Sequence, residues 1–222
     1  MLLFLIVYYI LAFLFLMLAC YNENFKKYHL LSKCLCSTGF LLAAILGKIQ
    51  SANNPLFWRL FPAFIFCFFG DYFLAKQEHG EQKKLFLLGL GSFLLGHCTF
   101  LFALSYVQPV NRYTFIMPLL GVIFVKGLTM LSNMEVGQQK IPVLIYAYFV
   151  SALFVKCIQI ALNGNLAPFY VLVFLGGFLF FVSDGIILFL YFYQKKYVIM
   201  KFLNLFTYYS ATFLLGISII YA

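Results

Sequence analysis

The chain contains two aspartates, Asp71 in CFFGDYFL and Asp184 in FVSDGIILF, each set in a run of apolar side chains. A carboxylate at the centre of a membrane helix costs about 2.5 to 3.5 kcal/mol on insertion scales, and its side chain is too short to reach water from mid-span. Such residues face a protein interior and mark function. A histidine, His97 in FLLGHCTF, has the same kind of setting. Two carboxyl groups and an imidazole are the equipment of acid and base catalysis. Two carboxyls in an apolar site divide the labour, one holding a proton and the other staying ionised, as glycosidases do around an oxocarbenium-like cation. Lys33 adds a point charge of the kind that meets phosphate, and Tyr146, Tyr208 and Tyr209 add phenolic hydrogen-bonding groups.

The elements that must carry these residues are membrane helices. Of 222 residues 65% are hydrophobic and 9% charged, too few polar groups to cover a soluble domain. A span needs about 20 apolar residues. Eight such stretches are present, at roughly 1 to 21, 30 to 49, 57 to 75, 85 to 107, 113 to 132, 140 to 162, 167 to 193 and 197 to 221. The breaks carry loop chemistry: YNENFKK, QSANNP, KQEHGEQKK, QPVNR, SNMEVGQQK, NGN and QKK. The fold class expected is therefore all-α, a polytopic eight-transmembrane-helix bundle forming one integral membrane domain over residues 1–222. The first stretch lacks the positive n-region of a signal peptide and is expected to be retained as a helix.

The net charge of +9 has no basic, aromatic-interleaved patch behind it, so no nucleic-acid partner is expected. The basic residues instead follow the positive-inside rule. Lys26, Lys27, Lys76, Lys83, Lys84, Lys140, Lys195, Lys196 and Lys201 lie by the odd-numbered loops, against Lys48, Arg59 and Arg112 by the even ones. That predicts both termini outside the cytoplasm of a cell membrane. Lys48, Lys126 and Lys156 sit late in their helices, where long stems can snorkel to an interface. The six cysteines, without a C-x-x-C pair, read as small hydrophobes, and no metal site is expected.

Depth tests whether the ionisable residues share a level. At 1.5 Å rise per residue, Asp71 lies about 6 Å from the cytoplasmic end of its helix, Asp184 about 14 Å, His97 about 18 Å and Lys33 about 5 Å. These depths suit one pocket open to the cytoplasmic side. FFGDYF and FVSDGI share F-x-small-Asp at an offset of 113 residues, about half the chain, which also carries Lys33 to Tyr146 and His97 to Ser210. With four helices per half, the echo suggests two parallel four-helix repeats.

The ordered motifs resemble the YhhN-like family of integral membrane lysoplasmalogenases. They are Lys33, the GD of FFGDYFL, F-x-x-G-x-x-x-FLLGH from Phe86 to His97, P-x-x-x-Y from Pro142 to Tyr146, G-x-L-F-x-x-SD from Gly177 to Asp184, and YYSA from Tyr208 to Ala211. Cys34, Phe100 and Thr212 depart from the family's usual residues, which bears on substrate choice. The resemblance implies a hydrolase that cleaves the vinyl ether bond of a lysoplasmalogen, a lysophospholipid drawn from the membrane, to a fatty aldehyde and glycerophosphocholine or glycerophosphoethanolamine. It implies Asp71 and Asp184 as the catalytic pair with His97 assisting, Lys33, Tyr146, Tyr208 and Tyr209 at the substrate, and no cofactor. Which aspartate is the acid stays open. The alternative is a proton-coupled transporter, since intramembrane Asp and His also build proton relays. An intramembrane aspartyl protease is disfavoured because FFGD stands where that class has G-x-G-D. A metal-dependent lipid hydrolase would need Asp71, His97 and Asp184 together.

Overall fold

The computed structural model describes residues 1–51, 55–77, 83–164, 166–195 and 197–222, without the side chain of Lys83. Lys196 and the Lys83 side chain, both part of the charge count above, lie outside the described residues. Among the described residues every secondary-structure element is a helix, in two compact units: Met1–Phe100 with Gly216–Ala222, and Leu101–Leu215.

In the first unit, α1 (Leu2–Tyr21) is apolar on every face and buries only Leu5, Ala12, Leu16 and Ala19. It packs on α2 (His29–Gln50), where the Tyr8 hydroxyl donates to the Leu35 carbonyl at 3.0 Å. The remaining surface of α1 is hydrocarbon, with Leu3 and Phe4 more than two-thirds exposed, as suits a helix in lipid. A 3-10 turn (Glu23–Tyr28), begun by the Asn22 side chain accepting from the Asn24 N–H, leads into α2. Beyond it come α3 (Leu56–Gln77) and α4 (Lys83–Val107), the latter in the first unit up to Phe100. Helices α3 and α4 meet closely at Gly70, where an added Cβ would come within 2.6 Å of the Phe93 ring. The final turn, Ile219–Tyr221, packs on α2: Ile219 is fully buried, and a Cβ at Gly47 would lie 2.7 Å from its Cβ.

The second unit holds the rest of α4, then α5 (Arg112–Ile116), α6 (Pro118–Leu128), α7 (Lys140–Asn163) and α8 (Pro168–Phe192). It also holds α9 (Val198–Ser218) up to Leu215. The single helix expected at 113 to 132 is thus two pieces and ends early. Asn111 starts it with a capping box shared with Thr114. Pro118 then lacks the N–H that would continue the ladder, so the chain makes a tighter bond from the Leu120 N–H to the Met117 carbonyl and restarts with proline in the first turn. Seven other described helical stretches are each long and apolar enough to cross a membrane. The protein is all-α and multi-pass, as its composition requires.

The loop after α6 is pinned to the end of α8. The Glu135 N–H donates to the Phe192 carbonyl at 2.8 Å, the Gln194 N–H to the Asn133 carbonyl at 3.1 Å, and the Gln194 amide to the Glu135 carboxylate at 2.8 Å. This clamp turns Met134 and Val136 inward against Val143 of α7 and Leu188 of α8.

Lys156 corrects the snorkelling expectation, whereas Lys126 is exposed. Lys156 on α7 is fully buried, and its ammonium donates to the carbonyls of Gln108 and, at 3.1 Å, Pro109, just past the end of α4. The last carbonyls of a helix have no intrahelical donor and carry the negative end of its dipole, so a buried cation satisfies both. Lys156→Met removes this donor, and we expect the unfolding free energy in detergent to fall by about 1 to 3 kcal/mol. An unchanged denaturation midpoint would count against the capping role.

Candidate functional site

Helix α2 buries one stripe that includes His29, Ser32, Lys33, Cys36, Ser37, Phe40, Ala43, Ala44 and Gly47, the spacing of a single helical face. Within it Lys33 and Ser37 are one turn apart and reach the same residue of α3. The Lys33 Nζ lies 3.7 Å from Asp71 Oδ1, and the Ser37 hydroxyl donates to Asp71 Oδ2 at 2.6 Å. All three are buried, Asp71 being 2% exposed. An ion pair removed from water is tolerated when its geometry is good and further hydrogen bonds satisfy the remaining lone pairs, which Ser37 does here. His97 is buried on α4, next to Gly96, where an added Cβ would stand 3.2 Å from the Cys67 sulfur of α3.

In the second unit the Tyr146 hydroxyl of α7 donates to Asp184 Oδ1 of α8 at 3.1 Å, with both residues buried. The neighbouring Ser183 is braced from α9. The Asn204 amide donates to the Ser183 carbonyl and hydroxyl, each at 2.9 Å, and the Ser183 hydroxyl approaches the Asn204 carbonyl at 3.3 Å. Tyr208 sets its ring edge-on to Phe180 of α8 at 5.5 Å between centroids, and Tyr209 is buried beside it.

A cavity of about 160 Å³ lies among α6, α7 and α8, with Asp184 and Tyr146 in its wall and hydrocarbon side chains over most of the rest. Asp184 therefore stands where an apolar molecule would meet a carboxyl group and a phenol. Chemically this suits a proton donor or acceptor acting on a substrate that is mostly hydrocarbon.

The structure thus brings Lys33 to Asp71 in one unit and Tyr146 to Asp184 in the other. The two contacts are related by the same offset of 113 residues. The sequence echo therefore marks a recurring joint: a polar residue on one helix meeting the aspartate of the next. Ser37 and Asn204 were missed as site residues. Their signal was present, since Ser37 stands one helical turn from Lys33 and Asn204 is an amide inside an apolar run. Asn204→Leu keeps the size of the side chain and removes the brace. We expect it to cost about 1 to 2 kcal/mol, the range of an interhelical hydrogen bond within a membrane, read as a lowered unfolding midpoint.

Among the described residues no three His, Cys, Asp or Glu side chains gather closely enough to hold a metal ion, as the metal-dependent reading would need. The sequence model of the YhhN family matches residues 28–219. No curated protein and no solved structure matches the chain.

Proposed function

The chain belongs to the YhhN family, and on that premise we propose that it is a lysoplasmalogenase-like hydrolase opening the vinyl ether bond of a lysophospholipid. The observation that carries the reading is a carboxyl group, Asp184, held by a tyrosine hydroxyl in the wall of a mostly apolar cavity.

A vinyl ether hydrolyses when an acid protonates its β-carbon, leaving a cation shared between the α-carbon and the ether oxygen. Water adds to the α-carbon and loses a proton, and the hemiacetal collapses to a fatty aldehyde and the glycerophospho-alcohol. We assign the proton transfer to Asp184, since the hydrocarbon around it is where an alkenyl chain would sit. Tyr146 fixes the carboxyl through its hydrogen bond and takes part in orienting the lipid. The anionic role goes to Asp71, whose carboxylate already has the Lys33 ammonium and the Ser37 hydroxyl as partners. His97 is assigned to handling the water. Lys33, Tyr208 and Tyr209 are assigned to the polar part of the substrate, with Lys33 exchanging between Asp71 and the lipid phosphate. No cofactor enters any of these steps, and both termini are proposed to lie outside the cytoplasm on the bias of Lys and Arg among the loops.

The test is aldehyde release from choline and ethanolamine lysoplasmalogens by the purified protein in detergent. Turnover by the wild type, lost in Asp71→Asn and in Asp184→Asn, is the expected result. Undiminished turnover in either well-folded variant would remove that carboxyl from the mechanism. A wild type that releases no aldehyde but moves protons in proteoliposomes would replace the hydrolase with the transporter.

A further inference from the structure

The cavity beside Asp184 has a glycine in its wall whose presence packing does not explain. Gly185 lies in the interior of α8, two turns before its end, where glycine is the poorest helix former after proline. At other tight positions a neighbour forbids a side chain; a Cβ at Gly121, also in the cavity wall, would collide with Ser151. At Gly185 an added Cβ would meet nothing within 4 Å. The residue is exposed, and on the facing helix α6 Phe124 is 65% exposed, so the cavity is open sideways. At the end nearest the α6 to α7 loop, the wall residues Val143 and Leu188 pack against Met134 and Val136. Because α6 and α8 carry apolar surfaces suited to lipid, the medium that meets this opening is the hydrocarbon of the bilayer.

We propose that this cavity takes one unbranched hydrocarbon chain of the substrate lipid, admitted sideways from the bilayer past Gly185, and that Gly185 sets how much chain fits. The proposal rests on the hydrolase reading for the bond that is broken, but not for the chain that is bound. The volume equals roughly five water-sized groups, and the wall spans two turns of α7 from Val143 to Ser151, about 12 Å. That is room for the part of a chain nearest the reacting bond. Three polar side chains, Tyr146, Ser151 and Asp184, are the exceptions in the lining, and the first and last are the pair assigned to the chemistry.

The experiment substitutes the glycine and varies the chain. Gly185→Leu fills the opening, and leucine favours the helix more than glycine does, so the variant is expected to fold. Gly127→Leu on α6 is the control, because a Cβ there also meets nothing but Gly127 does not line the cavity. The readout is the ratio of turnover on a long-chain to a short-chain lysoplasmalogen. We expect it to fall at least tenfold in Gly185→Leu and to hold in Gly127→Leu, whereas general damage would lower both substrates alike. An unchanged ratio in Gly185→Leu, or an equal fall in Gly127→Leu, overturns the chain site while aldehyde release by the wild type keeps the hydrolase.

A second arm needs no turnover: an alkyl-ether lysophosphatidylcholine carrying a mid-chain diazirine, photolysed with the protein. We expect label on Val143 or Leu188, which are buried from the outside, and its loss in Gly185→Leu. Label confined to outward residues such as Leu120 and Ile123 overturns the proposal. Label on Val143 or Leu188 in a protein that releases no aldehyde would sink the hydrolase and leave the chain site standing.

Discussion

Asp184→Asn is expected to lower aldehyde release by about 10²- to 10⁴-fold, the range that a positioned general acid supplies, with little change in the unfolding midpoint. The two readouts separate because asparagine keeps the shape of the side chain and its carbonyl still accepts the hydrogen bond from Tyr146, now 3.1 Å from the carboxyl. What it loses is a proton that can be given away. Tyr146→Phe should cost much less, about tenfold, since it removes the group that orients the carboxyl and leaves the acid itself. If the asparagine variant turns over within a fewfold of the wild type while staying folded, Asp184 is not the acid. The size of the effect is fixed by what the site lacks. Among the described residues that line the cavity Asp184 is the only carboxylic acid, so no described neighbour in that wall takes over its role.

The second large effect is on stability. Lys33→Met leaves the Asp71 carboxylate in a buried setting without the ammonium that stands 3.7 Å away, and we expect it to lower the unfolding free energy by about 3 to 5 kcal/mol. The companion Lys33→Met, Asp71→Asn double variant should recover most of that loss. A neutral amide beside a thioether carries no uncompensated charge, and the Ser37 hydroxyl, 2.6 Å from Asp71, still has an oxygen to donate to. Replacing both members of a buried pair is often nearly neutral, whereas breaking one is not. Unfolding by denaturant in detergent, run on the two single variants and the double, gives the coupling directly. Additive losses would mean that the pair is not coupled. The double variant also separates function from folding: if it is stable yet inactive, the Lys33 and Asp71 pair is needed for turnover and not only for folding.

Hydropathy located most of the membrane helices, because a run of twenty apolar residues has few other structural meanings. It failed at residues 113 to 132 for a local reason. Apolar content there continues through Pro118, and hydropathy does not register that proline has no N–H, so one helix was expected where two occur. The aspartates were legible because their cost in lipid makes them conspicuous, and the offset of 113 residues matched Lys33 with Tyr146 and Asp71 with Asp184 as equivalent positions, without giving the contact that joins each aspartate to its neighbour. Lys156 went wrong because a long stem near a helix end reads as snorkelling. Its real acceptors are backbone carbonyls, which no side-chain pattern records. A pocket was expected from depth, but its walls and its sideways opening were not legible, for a related reason. Gly121 and Gly185 look alike in sequence, yet one is filled by a neighbour and the other faces open space.

The packing of Ile219 into α2 has a consequence for biosynthesis. The first unit consists of residues 1–100 and the last seven residues, with 115 residues of the second unit made in between. At about 5 to 20 residues per second, the N-terminal unit waits roughly 6 to 23 s after Phe100 is polymerised before its last piece exists. Throughout that delay the groove on α2 beside Ala43 and Gly47 lacks the contacts that Gly216 and Ile219 later make. The helices of the first unit are therefore inserted before the segment that completes their packing is made, and a ribosome stalled within α9 would leave that unit incomplete.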